Sequence, residues 1–416
     1  MPIPRTLPAK PRRIRDEQGA AFIVMLVILV MGVSALVVSA YSNTTIKIQR
    51  GKTTTGVLAQ AKDALIGSSI SNALRPGSLP CPDTTNDGMS DACSSTNFIG
   101  RLPWKTLGLP NLRDGNGEQL WYAVSPNFRD VSTSTTINSD TPTQLTLSGN
   151  AVMAVIFSPG GALSSQERNT NSTTCPSDGV SKPNNRCVSN YLEGENQNND
   201  GVFINAPESP TVNDQVLEIT ANQILPRVEK LITSQIVTCL SDYASINFGR
   251  FPWSTRLDPT NNPSYTDQLD ERFGRLPDSM PDTRTESNGN MDDVWNGASD
   301  ACNNIFPSTS GWWHNTNWRE LIFYSVSNKH KPRDSTTFPT ACTACLVVNP
   351  PSAAFDKKVV VILAGNKLLG QNRTTKSDKA NPANYLEAAN ASSNTTEVFQ
   401  QSPASSTFND LVWFIQ

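Results

Sequence analysis

Apolar residues follow two different patterns in the first 71 positions of the chain. Residues 20–41 form one apolar run rich in Val, Leu, Ile and Met, and no charged residue lies between Glu17 and Lys47. A helix needs about 20 apolar residues to cross a bilayer, so this run predicts a transmembrane helix. From residue 44 to 71 the apolar residues recur at helical spacing, which predicts that the helix becomes amphipathic and packs on a globular domain.

The charges around this run predict an orientation. Five basic residues precede it, Arg5, Lys10, Arg12, Arg13 and Arg15. Basic residues favour the cytoplasmic side of a membrane. The sequence therefore predicts a single pass through an inner membrane, with a cytoplasmic N-terminus and an exported head that is periplasmic or extracellular.

Beyond residue 72, short segments rich in β-branched and aromatic residues alternate with long Asn, Ser, Thr and Pro loops. Such segments indicate strands. The predicted strands are residues 120–124, 152–157 and 216–219, and then 321–326, 358–363 and 411–415.

Short motifs of the first half recur in the second half. The pairs are Gly-Arg-Leu-Pro at 100–103 and 274–277, the Tyr-x-Val-Ser segments 122–125 and 324–327, segments 154–168 and 359–373, Asn-Tyr-Leu-Glu at 190–193 and 384–387, and Asn-Asp at 213–214 and 409–410. Because these pairs follow the same order, they indicate an internal duplication.

The predicted fold class is α+β. We expect a leader at residues 1–19, a long transmembrane and stalk helix at 20–72, a first head copy at 73–220, a linker helix at 221–245 and a second copy at 246–416. Each copy is predicted to be a helix laid on one small antiparallel sheet.

The N-terminus resembles the type IV prepilin leader. Charged residues stop abruptly, Gly19 follows, and the apolar helix begins at Ala20. The resemblance implies that a prepilin peptidase cleaves after Gly19 and that the new N-terminus is methylated. It also implies that other pilin or pseudopilin subunits pack against the retained helix. A signal peptide cut near Ala40, or an uncleaved signal-anchor, is the alternative.

One position departs from that family. Pilins and pseudopilins usually carry a glutamate at the fifth mature position, where this chain has Val24. A buried carboxylate is costly unless it is paired, so its absence suggests a subunit without a neighbour on that side. Minor pilin X-like proteins and the tip pseudopilin K of type II secretion are similar in this respect.

Composition limits the partners and the compartment. The net charge is −3 and charged residues make up 17% of the chain, so no nucleic-acid surface is indicated. Eight cysteines in a chain predicted to be exported favour disulfides. The expected pairs are Cys81–Cys93, Cys175–Cys187 and Cys239–Cys302, with Cys342 and Cys345 bonded locally or exchanged among the last four cysteines.

An oxygen-rich loop is a candidate calcium site. It contains Asp83, Asn86, Asp87 and Asp91, with Gly88 placed for a tight turn. The pattern resembles calcium loops, although it lacks their twelfth-position glutamate. A polar turn is the alternative. No other cofactor is expected.

Catalytic motifs are absent from the sequence, which has only two histidines and neither a nucleophile elbow nor a P-loop. The aromatic cluster at 311–318 is either an exposed adhesive patch or a buried core. The sequence thus predicts a non-enzymatic, minor and tip-located subunit of a type IV pilus or type II secretion pseudopilus, acting in assembly, adhesion or cargo contact. The alternative is an exported binding protein or hydrolase tethered by an uncleaved signal-anchor.

Overall fold

The structure is a computed structural model. It describes residues 17–93, 99–131, 136–168, 187–257, 265–278, 280, 302, 305–306, 312–332, 345–392 and 397–416, and within the first helix it describes the side chains of 22–34 and 44–71.

Two long helices are present in these ranges. Helix α1 extends over Glu17–Ser71 and α2 over Ala221–Ile246. Two short helices follow, α3 at Trp312–Asn315 and α4 at Lys376–Ala380. Helix α2 begins with a capping contact, because the Gln223 side chain accepts a hydrogen bond from the Thr220 N–H (3.2 Å).

The described residues of the first copy form seven strands: β1 Ile99–Arg101, β2 Trp121–Val124, β3 Leu145–Leu147, β4 Asn150–Val152, β5 Ala154–Ser158, β6 Val202–Phe203 and β7 Gln215–Ile219. Strands β1-β2-β5-β7 form an antiparallel four-stranded sheet in that order. Strands β4-β3-β6 form a second sheet, in which β3 and β6 are parallel.

The second copy repeats this arrangement with β8 Phe273–Arg275, β9 Ile322–Val326, β10 Leu346–Asn349, β11 Ser352–Lys357, β12 Val359–Leu363, β13 Val398–Gln400 and β14 Leu411–Ile415. The antiparallel sheet has the order β14-β12-β9-β8, and the smaller sheet has the order β11-β10-β13 with β10 and β13 parallel. Strand order and direction therefore match those of the first copy, sheet by sheet.

Each four-stranded sheet is covered on both faces, and the core side chains of β2 show why. Tyr122 and Val124 belong to the main core, which also contains buried residues of α1 and α2. Trp121 and Ala123 belong to a second core, which they share with the small sheet. Since successive strand residues point to opposite faces, β2 lies between a helix layer and a second sheet. This explains why the strand is apolar throughout rather than alternating.

The six predicted strands are confirmed, with end shifts of one or two residues. They correspond to β2, β5, β7, β9, β12 and β14. These are the strands of the four-stranded sheets that carry the most β-branched and aromatic residues, and that composition made them visible in the sequence.

The predicted arrangement of one antiparallel sheet per copy is wrong. The described residues form four sheets, and two of these contain a parallel strand pair, so the molecule is a mixed α/β protein. The small sheets were missed because their strands are short and their parallel pairs join segments far apart in sequence. Thr146 pairs with Val202, and Val347 pairs with Val398.

The predicted transmembrane helix is also wrong. In the part of the chain that the structure describes, no helix combines the length and the apolar character required to cross a membrane. This finding contradicts single-pass anchoring in an inner membrane, and with it the predicted placement of the two ends of the chain.

Candidate functional site

The N-terminal part of α1 exposes large apolar side chains on all sides. Every described large apolar residue between Phe22 and Val33 is exposed, from 42% at Val27 to 69% at Phe22. A contiguous apolar surface of this kind is unusual for a soluble monomer. Val24, at the position where pilins carry a glutamate, is 58% exposed within it. We call residues 22–33 the apolar row.

The C-terminal part of α1 is packed into the first copy. Leu58, Ala61 and Leu65 are buried in the main core. Lys62 donates from Nζ to the backbone carbonyl of Glu218 on β7 (2.8 Å). The head therefore holds one half of α1 and leaves the apolar row uncovered.

The repeated motifs converge on a stacked arginine in each copy. In the first copy, the Arg101 guanidinium lies 4.4 Å from the ring centre of Trp121 and 4.2 Å from that of Tyr191. Arg168 also contacts the Tyr191 ring, at 4.8 Å. Such stacking stabilises a desolvated cation. Burial lowers the pKa of Arg101, with Tyr191 acting in the opposite direction.

The second copy reproduces this stack with other aromatic residues. Arg275 lies 4.6 Å from the ring centre of Phe323 and 4.3 Å from that of Tyr385. Arg373 contacts the Tyr385 ring at 4.4 Å. In each copy the arginine of the Gly-Arg-Leu-Pro motif therefore stacks on the tyrosine of the Asn-Tyr-Leu-Glu motif. The stack joins the first strand of the four-stranded sheet to a turn distant in sequence.

The glycine before each stacked arginine permits a close backbone approach. A Cβ at Gly100 would lie 2.7 Å from the Asp83 carbonyl oxygen, and a Cβ at Gly274 would lie 1.7 Å from the Thr255 carbonyl oxygen. Both distances are too short for any side chain. The repeated glycine therefore lets a loop pair with β1 and β8.

A loop of the first copy is inserted beside the second copy. Asp140 accepts a hydrogen bond from Arg373 Nη1 (2.8 Å) and another from the Lys367 N–H (2.8 Å). Asn138 donates to the Asn317 carbonyl (3.2 Å). Two polar cavities of about 340 and 470 Å³ flank this contact. Sequence reasoning missed these residues, although Gln-x-Arg recurs at 166–168 and 371–373.

In the proposed calcium loop, the carboxylates are bonded to backbone amides. Asp83 accepts from the N–H groups of Asn86 (2.6 Å) and Gly88 (2.7 Å), and Asp91 accepts from those of Thr84 (2.6 Å) and Thr85 (2.8 Å). Asp87 accepts from Met89 N–H (2.7 Å). Burial raises the pKa of Asp83. The described residues contain no group of three or more His, Cys, Asp or Glu able to hold a metal. The calcium site stays a prediction.

Two predicted disulfides are confirmed, Cys81–Cys93 and Cys239–Cys302. Cys187 and Cys345 are also disulfide-bonded. Cys175 and Cys342, their expected partners, lie outside the described residues, as does most of the segment around them. Gly19 and Ala20 lie within the backbone of α1, and their side chains are likewise outside the described part.

The aromatic cluster is core rather than an exposed patch. Trp313 and Trp318 are fully buried and Trp312 is 3% exposed. Phe306 packs edge-on against Trp313, with ring centres 5.1 Å apart. These residues share the main core with the Cys239–Cys302 disulfide. The adhesive-patch alternative is therefore wrong for the described tryptophans.

Comparison of the chain with protein-family models, with curated proteins and with solved structures finds no match.

Proposed function

We propose that this chain is a minor, tip-located subunit of a type IV pilus or type II secretion pseudopilus. The apolar row of α1 carries the proposal. Ten or so large apolar side chains exposed on one continuous helix would be a severe solubility liability in a monomer. Packing against equivalent helices of other subunits would remove that surface from water.

The arrangement of α1 supports a filament rather than a globular partner. The row encircles the helix, since the exposed apolar residues Ile23, Ile28 and Leu29 lie on three different faces at about 100° per residue. A helix that is apolar on every face is buried on every face. One flat docking partner would cover only one side, whereas a bundle of subunit helices would cover all of them.

Val24 supports a place at the tip. In the family that the N-terminus resembles, a glutamate at this position pairs with the N-terminal amine of a neighbouring subunit. Val24 offers no charge, and its exposed side chain extends the apolar surface. The subunit would therefore pack through apolar contacts alone and end a filament. The large duplicated head would then project beyond the other subunits to act in assembly, adhesion or cargo contact.

Charge insertion into the apolar row tests this function. We expect Leu26→Lys to abolish incorporation into filaments when the full chain is co-expressed with a filament system, because a lysine would be buried unpaired between helices. Leu369→Lys is the matched control, since Leu369 is a fully exposed leucine on the head. Equal incorporation of both variants, measured by immunoblotting of sheared filaments, would contradict the proposal.

A further inference from the structure

A glutamate and an aspartate are buried against each other in each copy. Glu193 and Asp214 are 7% and 5% exposed, and their counterparts Glu387 and Asp410 are 8% and 5% exposed. These are the last residues of the repeated Asn-Tyr-Leu-Glu and Asn-Asp motifs. Two carboxyl groups that are buried together, twice in one chain, need a compensating partner.

Backbone hydrogen bonds hold the two side chains face to face. The Glu193 N–H donates to Asp214 Oδ2 (2.9 Å), and the Asp214 N–H donates to Glu193 Oε2 (3.2 Å). In the second copy the Glu387 N–H donates to Asp410 Oδ2 (3.0 Å). In the first copy each carboxyl therefore caps the backbone of the other, and in the second Glu387 Oε2 accepts instead from the adjacent Asn409 N–H (3.0 Å).

A glutamine links the glutamate of each pair to an arginine. Arg168 Nη2 donates to Gln166 Oε1 (2.6 Å), which orients the amide so that Gln166 Nε2 donates to Glu193 Oε1. In the second copy the same relay has distances of 2.9 Å from Arg373 to Gln371 and 2.7 Å from Gln371 to Glu387. Both oxygens of each glutamate therefore receive N–H donors, which distinguishes the glutamate from the aspartate of the pair.

One carboxyl oxygen of the aspartate in each pair accepts no hydrogen bond from the described residues. Asp214 Oδ1 and Asp410 Oδ1 are buried and accept no hydrogen bond from any described group. Their Oδ2 atoms accept from the amides of Asn196 (3.3 Å) and Asn390 (2.9 Å). An unpaired buried carboxylate oxygen is costly, whereas a carboxylic acid O–H at that position can donate to the adjacent glutamate.

We propose that each copy contains a proton-binding site, in which the aspartate is a neutral acid whose O–H donates to the ionised glutamate. The proton holds the Asn-Tyr-Leu-Glu turn against the last strand of each four-stranded sheet. Asp214 immediately precedes β7, and Asp410 immediately precedes β14. Loss of the proton places two negative charges in contact at that junction.

The surroundings favour a bound proton. Burial first, and then the negative charge of Glu193, raise the pKa of Asp214 to about 8. Burial and Glu387 do the same to Asp410, also to about 8. Among the described residues, Arg168 and Arg373 are linked to the pairs through the glutamines. Each of these arginines is itself paired, Arg168 with Glu118 (3.3 Å) and Arg373 with Asp140 (2.8 Å).

The site makes the head less stable as the pH rises. An aspartate with a folded-state pKa of about 8 keeps its proton where the unfolded aspartate, with an ordinary pKa of 3.8, has lost it. The contribution of the proton to stability is therefore complete below pH 3.8, decreases between pH 3.8 and about 8, and is absent above that.

Two measurements on the full chain test the proposal. Infrared spectra at pH 6 should contain the carbonyl band of a protonated carboxylic acid in the wild type, and the double variant Asp214→Asn with Asp410→Asn should lack it. Urea unfolding between pH 5 and 8 should show a stability decrease in the wild type that is reduced in each single variant and largely removed in the double variant. Asn preserves the shape of the neutral acid and can donate to the glutamate.

Asp63→Asn is the control, because Asp63 lies exposed on α1. It should keep both the band and the decrease. The wild-type infrared measurement needs no variant, so it remains decisive if a substitution prevents folding. Absence of the acid band at pH 6, or a divalent metal recovered from the purified chain in its place, would overturn the proposal.

Discussion

Asp140 of the first copy forms an ion pair with Arg373 of the second copy. This pair is equivalent to the one that Glu118 and Arg168 form within the first copy. The Asp140–Arg373 ion pair measures 2.8 Å and the Glu118–Arg168 pair measures 3.3 Å. Both arginines otherwise bond to the same partners, a glutamine and the carbonyl of a motif asparagine. Both copies thus contain the arginine, but its acidic partner belongs to the same copy for Arg168 and to the other copy for Arg373.

The counterpart of Glu118 in the second copy has other contacts. Glu320 accepts from Lys379 Nζ (2.9 Å) and from the Tyr385 hydroxyl (2.7 Å). Arg373 therefore pairs with Asp140 instead of with Glu320. This exchange joins the two copies through a charge pair that neither copy could form alone.

Removing Asp140 should loosen the junction between the copies. We expect Asp140→Ala to lower the free energy of unfolding by about 2 kcal/mol, because Arg373 is almost buried and would lose a charged acceptor. Urea denaturation measures the change. Glu208→Ala removes the exposed Lys47–Glu208 pair and should leave stability nearly unchanged. Equal effects of the two substitutions would contradict the role of Asp140.

Stacking of Arg101 can be tested by a conservative change. Arg101→Lys keeps the charge but loses the planar group that contacts Trp121 and Tyr191, so we expect a loss of about 2 kcal/mol in stability. The exposed Arg113, which donates to the Gly117 carbonyl, provides the control Arg113→Lys. A thermal unfolding temperature that is unchanged in both variants would count against the stack.

The Asp83 loop should depend on its carboxylate whether or not calcium binds. We expect Asp83→Ala to cost about 2 kcal/mol, since it leaves the buried Gly88 N–H and the part-buried Asn86 N–H without their acceptor. Unfolding measured with and without Ca²⁺ separates the two possible roles. If wild-type stability rises with Ca²⁺ and that of Asp83→Ala does not, the loop is a calcium site. If neither responds, the loop is a polar turn.

His330 should make the second copy sensitive to acid. Burial first, and then the nearby Lys358, Lys329 and Arg250, lower the pKa of His330 from its ordinary 6.5 to about 4. Protonation therefore favours the unfolded chain, so its contribution to stability is complete above pH 6.5 and is lost as the pH falls to about 4.

The replacement His330→Gln should remove this acid-sensitive contribution, so stability measured by urea unfolding should increase more in the variant than in the wild type as the pH falls from 6.5 to about 4. His314→Gln is the comparison, because His314 is 31% exposed and faces Asp278. We expect it to change the pH profile less. A wild-type profile that is retained in His330→Gln would show that another group is responsible.

The sequence predicted the elements that have a local signal. Strands such as β5 and β12 are dense in β-branched residues, and the duplication was readable from repeated motifs. The tertiary role of the motifs was not readable, because Arg101 and Tyr191 are in contact although they lie 90 positions apart in the sequence. Asp140 could not be predicted, since it pairs with an arginine of the other copy, whereas the equivalent Arg168 pairs with Glu118 of its own copy. The length of apolar sequence from 20 to 41 suggested a membrane span that the described helix does not support.

Mass spectrometry of the mature N-terminus tests the central claim, that the apolar row is the filament-assembly surface of a processed pilin-like subunit. The full chain would be produced with and without a prepilin peptidase, and Gly19→Val would serve as the uncleavable control. We predict a terminal peptide that begins at Ala20, is methylated, and appears only when the peptidase and Gly19 are both present. An intact leader, or an N-terminus near Ala40, would contradict the account.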